Sequence, residues 1–340
     1  MSIVWIEFVP SIYSLPPSFG LTLRVPTREE EERERRFRTF ANYIHGWVIT
    51  LDDDFGGFPT APLESIVTQP KFHALRSRCP RLDRLRSSLP IAWSTEMLMR
   101  NELMQFGRTA MIRYANSWLP IKAYYAIYQA VVALNSISSD VEDRHRAQIN
   151  VINDRLRQER WLPAVVRLAC VSCYPAGTSK FVGLPDNADM ELSNLRRPTS
   201  VTEAKVLVAK SLKTTLSDMM EVKREDWKRT QRLTRVSGSA AASIAAKMPP
   251  ATIFDFMLRI RIRCNYQETE AMVHGPKDAT EAFLFAEALG ALTWHLMAFI
   301  ETLIAGKIGE KSLREMVTQF SKSGGLGTGR LPVADRWSVA

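Results

Sequence analysis

Ile121–Asn135 reads IKAYYAIYQAVVALN, and how this stretch is read decides the fold. It is apolar nearly all round and rich in alanine, with tyrosines at 124, 125 and 128. On a helix Tyr124 and Tyr128, four apart, share one face. Ala123, Ala126, Ala130 and Ala133 let neighbouring helices approach closely. A helix with no polar side belongs in the middle of a bundle, so the plain reading is a central core helix. Two other stretches complement it. Ile253–Glu270 carries LRIRIRCNYQETE. Asp278–Ala305 is long and apolar, and its Phe285, Leu289, Leu292, Leu296, Phe299 and Leu303 repeat at steps of four and three, a strict apolar seam.

The rest of the composition is that of a folded protein: 46% hydrophobic and 24% charged over 340 residues, enough to bury a sizeable core. Lys and Arg number 45 against 36 Asp and Glu, a net charge of +9. That balance favours an anionic partner, and nucleic acid is the commonest one. A mildly basic solvated surface explains the charge equally well. Cys79, Cys170, Cys173 and Cys264 are too few for a disulfide scaffold. Cys170 and Cys173 form a CxxC without a second pair at zinc spacing, and on a helix they are simply neighbours on one face. No phosphate loop, nucleophile elbow, dinucleotide fingerprint or metal cluster is visible, so neither a cofactor nor a metal is expected. The N-terminus lacks a basic region and Pro10 cuts its apolar run short, which predicts neither a signal peptide nor a membrane span. No other run reaches membrane-spanning length without a charged or polar break. The expectation is a cytoplasmic protein with no membrane partner.

The predicted fold class is mainly α: a helical bundle with an N-terminal extension that contains a short strand at Ile3–Val9. The extension covers residues 1–90. It holds a charged helix opened by a Thr27–Glu30 capping box. A solvated loop follows at Leu51–Pro62, then a densely basic segment, Leu75–Ser88, with Arg84 and Arg86. The bundle covers 91–320. Its first helix starts at Ser94 or Thr95 and runs to about Ser117. The tyrosine helix follows with Pro120 in its first turn, then an amphipathic helix over Val141–Glu159 and another over Pro163–Cys173. An irregular connection spans Tyr174–Thr199. A Ser200–Glu203 capping box then opens a helix to about Arg235, whose basic last third includes Lys228 and Arg229. Ser237–Pro250 is small residues and prolines, and 321–340 is a linker-like tail.

Tyr124-Tyr125-Ala126-Ile127-Tyr128-Gln129-Ala130, followed by Ala133-Leu134, resembles the core helix of the HEPN superfamily. His145 stands where such proteins often open the next helix with a histidine. Leu258–Tyr266, with Arg259, Arg263, Asn265 and Tyr266, is similar to the family's leucine–arginine–Ala-Asp-Tyr stretch. The likeness covers about residues 94–160 and 250–306, with 161–250 as an insertion. It implies a helical bundle, usually a dimer, with roles in bacterial antiviral defence and toxin–antitoxin systems. It also implies metal-independent ribonuclease chemistry in active members, from an arginine and a histidine five to seven positions apart. This chain departs from that pattern. Gln129 and Asn265 replace a frequent histidine and aspartate, and no histidine follows Arg259, Arg261 or Arg263 at the needed distance. Arg38 and His45 have the spacing but lie outside the matched region.

Arg259, Arg263 and Tyr266 fall on one helix face at steps of four and three. Packed against Tyr124 and Tyr128, they would form either a satisfied polar network or a pocket with arginine forks on phosphate and tyrosine on base. The expected catalytic set is Arg259, Arg263 and His145. His145, between Arg144 and Arg146, should have a lowered pKa and stay neutral. Tyr124, Tyr128, Asn265 and Tyr266, with Arg84, Arg86, Lys228 and Arg229 on the basic patches, form the expected nucleic-acid surface. Two functions follow: an RNA-binding or RNA-cleaving effector of a defence system, or a non-catalytic helical subunit that docks a partner. In either case the seam helix predicts a homodimer or a heteromeric contact.

Overall fold

The charged segment after Thr27 can form a helix only if its first N–H groups find acceptors. Thr27 N–H donates to Glu30 Oε2 at 2.7 Å and Glu30 N–H to Thr27 Oγ1 at 3.3 Å, the predicted capping box. It opens helix α1 (Arg28–Phe55). The computed structural model describes residues 26–55, 66–76, 82–107, 109–138, 142–173, 178–184 and 193–322. The strand expected at Ile3–Val9, residues 56–65, Cys79 and residues 323–340 lie outside them. The chain continues through α2 (Pro70–His73), α3 (Leu82–Phe106), α4 (Ile112–Ala115), α5 (Leu119–Ser136) and α6 (His145–Gln158). A 3-10 turn (Val165–Arg167) leads into an antiparallel hairpin of β1 (Ala169–Cys173) and β2 (Thr178–Val182). Then come α7 (Val201–Gln231), α8 (Gly238–Ala246), α9 (Ile253–Tyr266), α10 (Thr269–His274), α11 (Ala279–Ile308) and α12 (Glu310–Lys322). The protein is mainly α-helical, and this hairpin is the one sheet among the described residues.

The tyrosine helix α5 sits at the centre, packed against α3, α6, α9 and α11. Its alanines 123, 126, 130 and 133 are completely buried, as close helix approach requires. The seam of α11 is also buried, Phe285 through Leu303, against elements of the same chain. Each such side chain contributes about 1.5–3 kcal/mol by leaving water. The seam is therefore packed within one chain. Helix α11 is long and apolar enough to cross a membrane, but most of it is buried inside the bundle.

One hydrophobic core runs through the segments that the sequence set apart as extension, bundle and insertion. Phe37, Ile44, Trp47 and Leu51 of α1 are fully buried. Trp47 Nε1–H donates to Ser211 Oγ of α7 at 3.1 Å. Gly46 makes that pairing possible, because a Cβ there would lie 3.1 Å from both Ala204 O and Leu207 Cβ.

Several boundaries differ from the sequence reading. Helix α3 begins at Leu82, not at Ser94 or Thr95, and carries Pro90 in its interior. Thr95 Oγ1 donates back to Ile91 O at 2.8 Å and caps nothing. Burial of Leu85, Leu89, Ala92 and Trp93 overrides the proline's local cost. The helix expected over Pro163–Cys173 is the 3-10 turn and β1. Cys170 joins the sheet and also exchanges hydrogen bonds with Ala251 at 3.0 and 2.9 Å. Cys170 and Cys173 therefore project from opposite faces of a strand, not one face of a helix. The Tyr174–Thr199 connection includes β2, and Ser237–Pro250 includes α8. The first five residues of the expected loop at Leu51–Pro62 are helical. Its aspartates make tertiary contacts: Asp53 with Lys205 Nζ at 3.2 Å, and Asp54 accepting from Val165 N–H at 3.0 Å. Asp52 Oδ1 lies 2.9 Å from Nε2 of the buried His295, which the seam pattern had left as incidental.

Candidate nucleic-acid site at the tyrosine helix

The site begins with the tyrosines of α5. Tyr124 and Tyr128 stack at 5.8 Å between centroids, because residues four apart on a helix lie one above the other. Tyr125 is turned about 100° away around the helix and meets α9 instead. The first residue of α6, His145, stacks on Tyr128 at 4.2 Å, and its Nδ1 lies 2.7 Å from Tyr124 Oη. Tyr128 Oη–H donates to the Asp143 carbonyl at 3.2 Å, which fixes the turn leading into α6.

Arginine closes the cluster from α9. Arg261 Nη2–H donates to Tyr125 Oη at 2.9 Å, and its guanidinium carbon lies 5.5 Å from that ring's centroid. A buried base holds α9 in place. Asp255 accepts from Asn153 Nδ2 at 2.8 Å and from Thr252 N–H at 3.0 Å, and it also pairs with Arg146. Thr252 and Asp255 form a reciprocal capping box at the start of α9. Arg84 pairs with Asp143, and its charge acts on Tyr128.

Burial pushes the Tyr124 hydroxyl well above the usual phenol range, so it stays protonated. Burial, and then the Arg261 charge, lower the pKa of His145. The direction is the one expected from its arginine neighbours in sequence, but the main cause is desolvation and the cation is Arg261. A neutral imidazole bonded through Nδ1 to a hydroxyl is satisfied in either tautomer, because the hydroxyl both donates and accepts. When Nδ1–H donates to Tyr124 Oη, Nε2 is left as a base. Among the described residues Nε2 has no hydrogen-bond partner.

The structure thus brings together four of the expected residues, Tyr124, Tyr128, His145 and Arg84. Arg259 and Arg263 do not join them. They point at α7, where Arg259 Nε–H and Arg263 Nη2–H donate to Asp218 Oδ2 at 2.6 and 3.0 Å. Arg263 also meets Glu268 at 3.4 Å. Asn265 is half-buried at the end of α9. Tyr266, 70% exposed, borders a different surface cleft with Arg36 and Glu268. On α7, Lys228 pairs with Glu225, and Arg229 meets Asp226 at 2.6 Å, so this basic run is balanced along its own helix. Arg86 is exposed and, two residues on from Arg84, faces another side of α3.

Sequence reasoning missed Tyr125, Arg261, Arg146 and Asp255. The Thr252-x-x-Asp255 cap was visible and would have anchored the start of α9. The choice of Arg261 over its neighbours was less visible, because LRIRIR alternates too evenly to mark one face. Comparisons of the chain with family models, curated proteins and solved structures give no match.

Proposed function

We propose that this chain is an HEPN-like RNA-acting protein of a defence or toxin–antitoxin type. In this reading His145 meets the ribose, and Arg261, bonded to the Tyr125 hydroxyl and not to a carboxylate, meets the phosphate backbone. The observation that carries the proposal is the placement of His145, its Nδ1 2.7 Å from Tyr124 Oη and its ring stacked on Tyr128 at 4.2 Å, near the Arg261 charge. A positioned base of that kind can take the proton of a 2′-hydroxyl without a metal. The 2′-oxygen then attacks the adjacent phosphorus and the 5′-oxygen leaves with a proton from water. Tyr124, almost fully buried, is a positioning residue and not a contact. The resemblance in the tyrosine helix supports this reading independently of the geometry. Titration of single-stranded RNA at low salt, followed by anisotropy, tests it. Binding should weaken steeply with salt as counterions are released, and His145→Gln should weaken it at constant salt. No binding at low salt would defeat the proposal.

A second reading is favoured by a separate observation. Met104, Met111, Tyr114 and Trp118 are each more than half exposed, and the last three follow at helical spacing through α4 into the start of α5. Large apolar residues grouped on a surface mark docking sites. On this reading the chain is an interaction subunit. A dimer mass by light scattering that Trp118→Ser reduces to a monomer would support it. A monomer at every concentration, with no change in the variant, would remove a self-docking role for that face.

A further inference from the structure

A second polar site lies away from the tyrosine cluster, in a cavity of about 390 Å³ between α1, the segment before α7 and the start of α11. Small-molecule pockets run at roughly 300–1,000 Å³, so it is large enough for a mononucleotide-sized ligand. Leu195 and Leu284 are apolar residues of its wall, and Arg38, His45, Arg197 and Lys277 are the basic or titratable ones.

The charges on that wall are not equally engaged. Arg38 meets Glu34 at 2.8 Å and Glu281 at 3.1 Å, and Lys277 lies 3.8 Å from Glu34. Glu281 also accepts from Lys277 N–H, and Asp278 from Glu281 N–H, so both acids at the head of α11 are occupied. Arg197 is exposed and has no ion pair among the described residues. His45 is only 8% exposed, lines the cavity and has no hydrogen-bond partner among the described residues. Burial and then the Arg197 charge lower its pKa to about 4. Neither ring nitrogen of His45 is among the closed-off unpartnered atoms, so each remains open to a ligand oxygen in the cavity.

We propose that this cavity binds a small phosphomonoester bearing a planar ring, with the phosphate on Arg197 and His45 and the ring between Leu195 and Leu284. An anionic oxygen suits both groups, since it accepts from the guanidinium fork and from an imidazole N–H. The two leucines give the ring a surface that inorganic phosphate would not use. The site shares no residue with the RNA reading and stands without it.

AMP, adenosine and inorganic phosphate serve as probes on the full chain. Calorimetry measures affinity, and the histidine ring resonances, five in all, report the place of binding. His45→Gln identifies the His45 signal. AMP should bind and move that signal. Inorganic phosphate should move it more weakly, and adenosine should leave it in place. Arg197→Gln, at an exposed position with no ion pair to lose, should weaken AMP about tenfold, or roughly 1.4 kcal/mol, with an unchanged melting temperature. His145→Gln should bind AMP like the wild type, which separates this site from the RNA surface. AMP that leaves the His45 signal unmoved, or that binds Arg197→Gln as tightly as wild type, would overturn the proposal.

Discussion

Helix α9 presents arginine on two sides, and the two sides are built differently. Arg259 and Arg263 face α7 and share the Asp218 carboxylate, with Glu268 completing the group. Arg261, between them in sequence, meets the neutral hydroxyl and ring of Tyr125. The first pair is a charge-balanced lock, its positive charge spent on carboxylates. On the other side Arg261 has no ion pair among the described residues and stands near the His145 imidazole, so an incoming anion would not have to displace a carboxylate of those residues from it. The difference teaches that an arginine's spacing on a helix says which residues share its face, while the acid opposite decides whether its charge is available.

The largest effect that sharpens this contrast should come from Asp218→Ala. It removes the shared carboxylate and leaves Arg259, whose side chain is only 10% exposed, without its ion-pair partner. Breaking a buried pair costs about 3–5 kcal/mol. Asp218 is 35% exposed, so a loss of about 2 kcal/mol is expected in the denaturant midpoint after allowing for solvent screening. RNA affinity should not change. A large loss of RNA binding with stability intact would break the distinction between the two sides.

Arg261→Gln should behave in the opposite way. We expect about tenfold weaker RNA binding, roughly 1.4 kcal/mol. Its stability cost should stay below about 1 kcal/mol, the typical net worth of one hydrogen bond. Arg263→Gln should leave RNA affinity within about twofold of wild type, a difference of roughly 0.4 kcal/mol. If the two substitutions exchange these outcomes, the phosphate face is the Asp218 side. The smallest effect is expected from Tyr125→Phe. The ring and its cation–π contact remain and only the hydroxyl acceptor is lost, so RNA affinity should fall about twofold to threefold, roughly 0.5 kcal/mol.

Much of the fold was legible. The tyrosine helix, the seam helix and the caps at Thr27 and Ser200 were read from local patterns, and local patterns carry helix starts. Helix α3 was not, because Pro90 reads as a break and only the packing of Leu89 and Trp93 shows otherwise. β1 was taken for helix because VVRLACVSC is apolar without a decisive period. In the site, the two stacked tyrosines could be placed by helix spacing, and His145 by the resemblance to a histidine that opens the next helix. Arg261 could not, because its partner Tyr125 lies 136 residues away in sequence and no local pattern ranks Arg261 above Arg259 or Arg263. The Asp218 lock depends on α7, which the sequence had assigned to an insertion outside the bundle.

The central claim is that the His145 face of α5, α6 and α9 acts on RNA. The most direct measurement is a ribonuclease assay in chelator on wild type, His145→Gln and Arg263→Gln, with the melting temperature of each recorded alongside. The account predicts fragments ending in a cyclic 2′,3′-phosphate from wild type and Arg263→Gln, and none from a folded His145→Gln. Cleavage that persists in His145→Gln, or a folded wild type that neither binds nor cuts RNA, would contradict it.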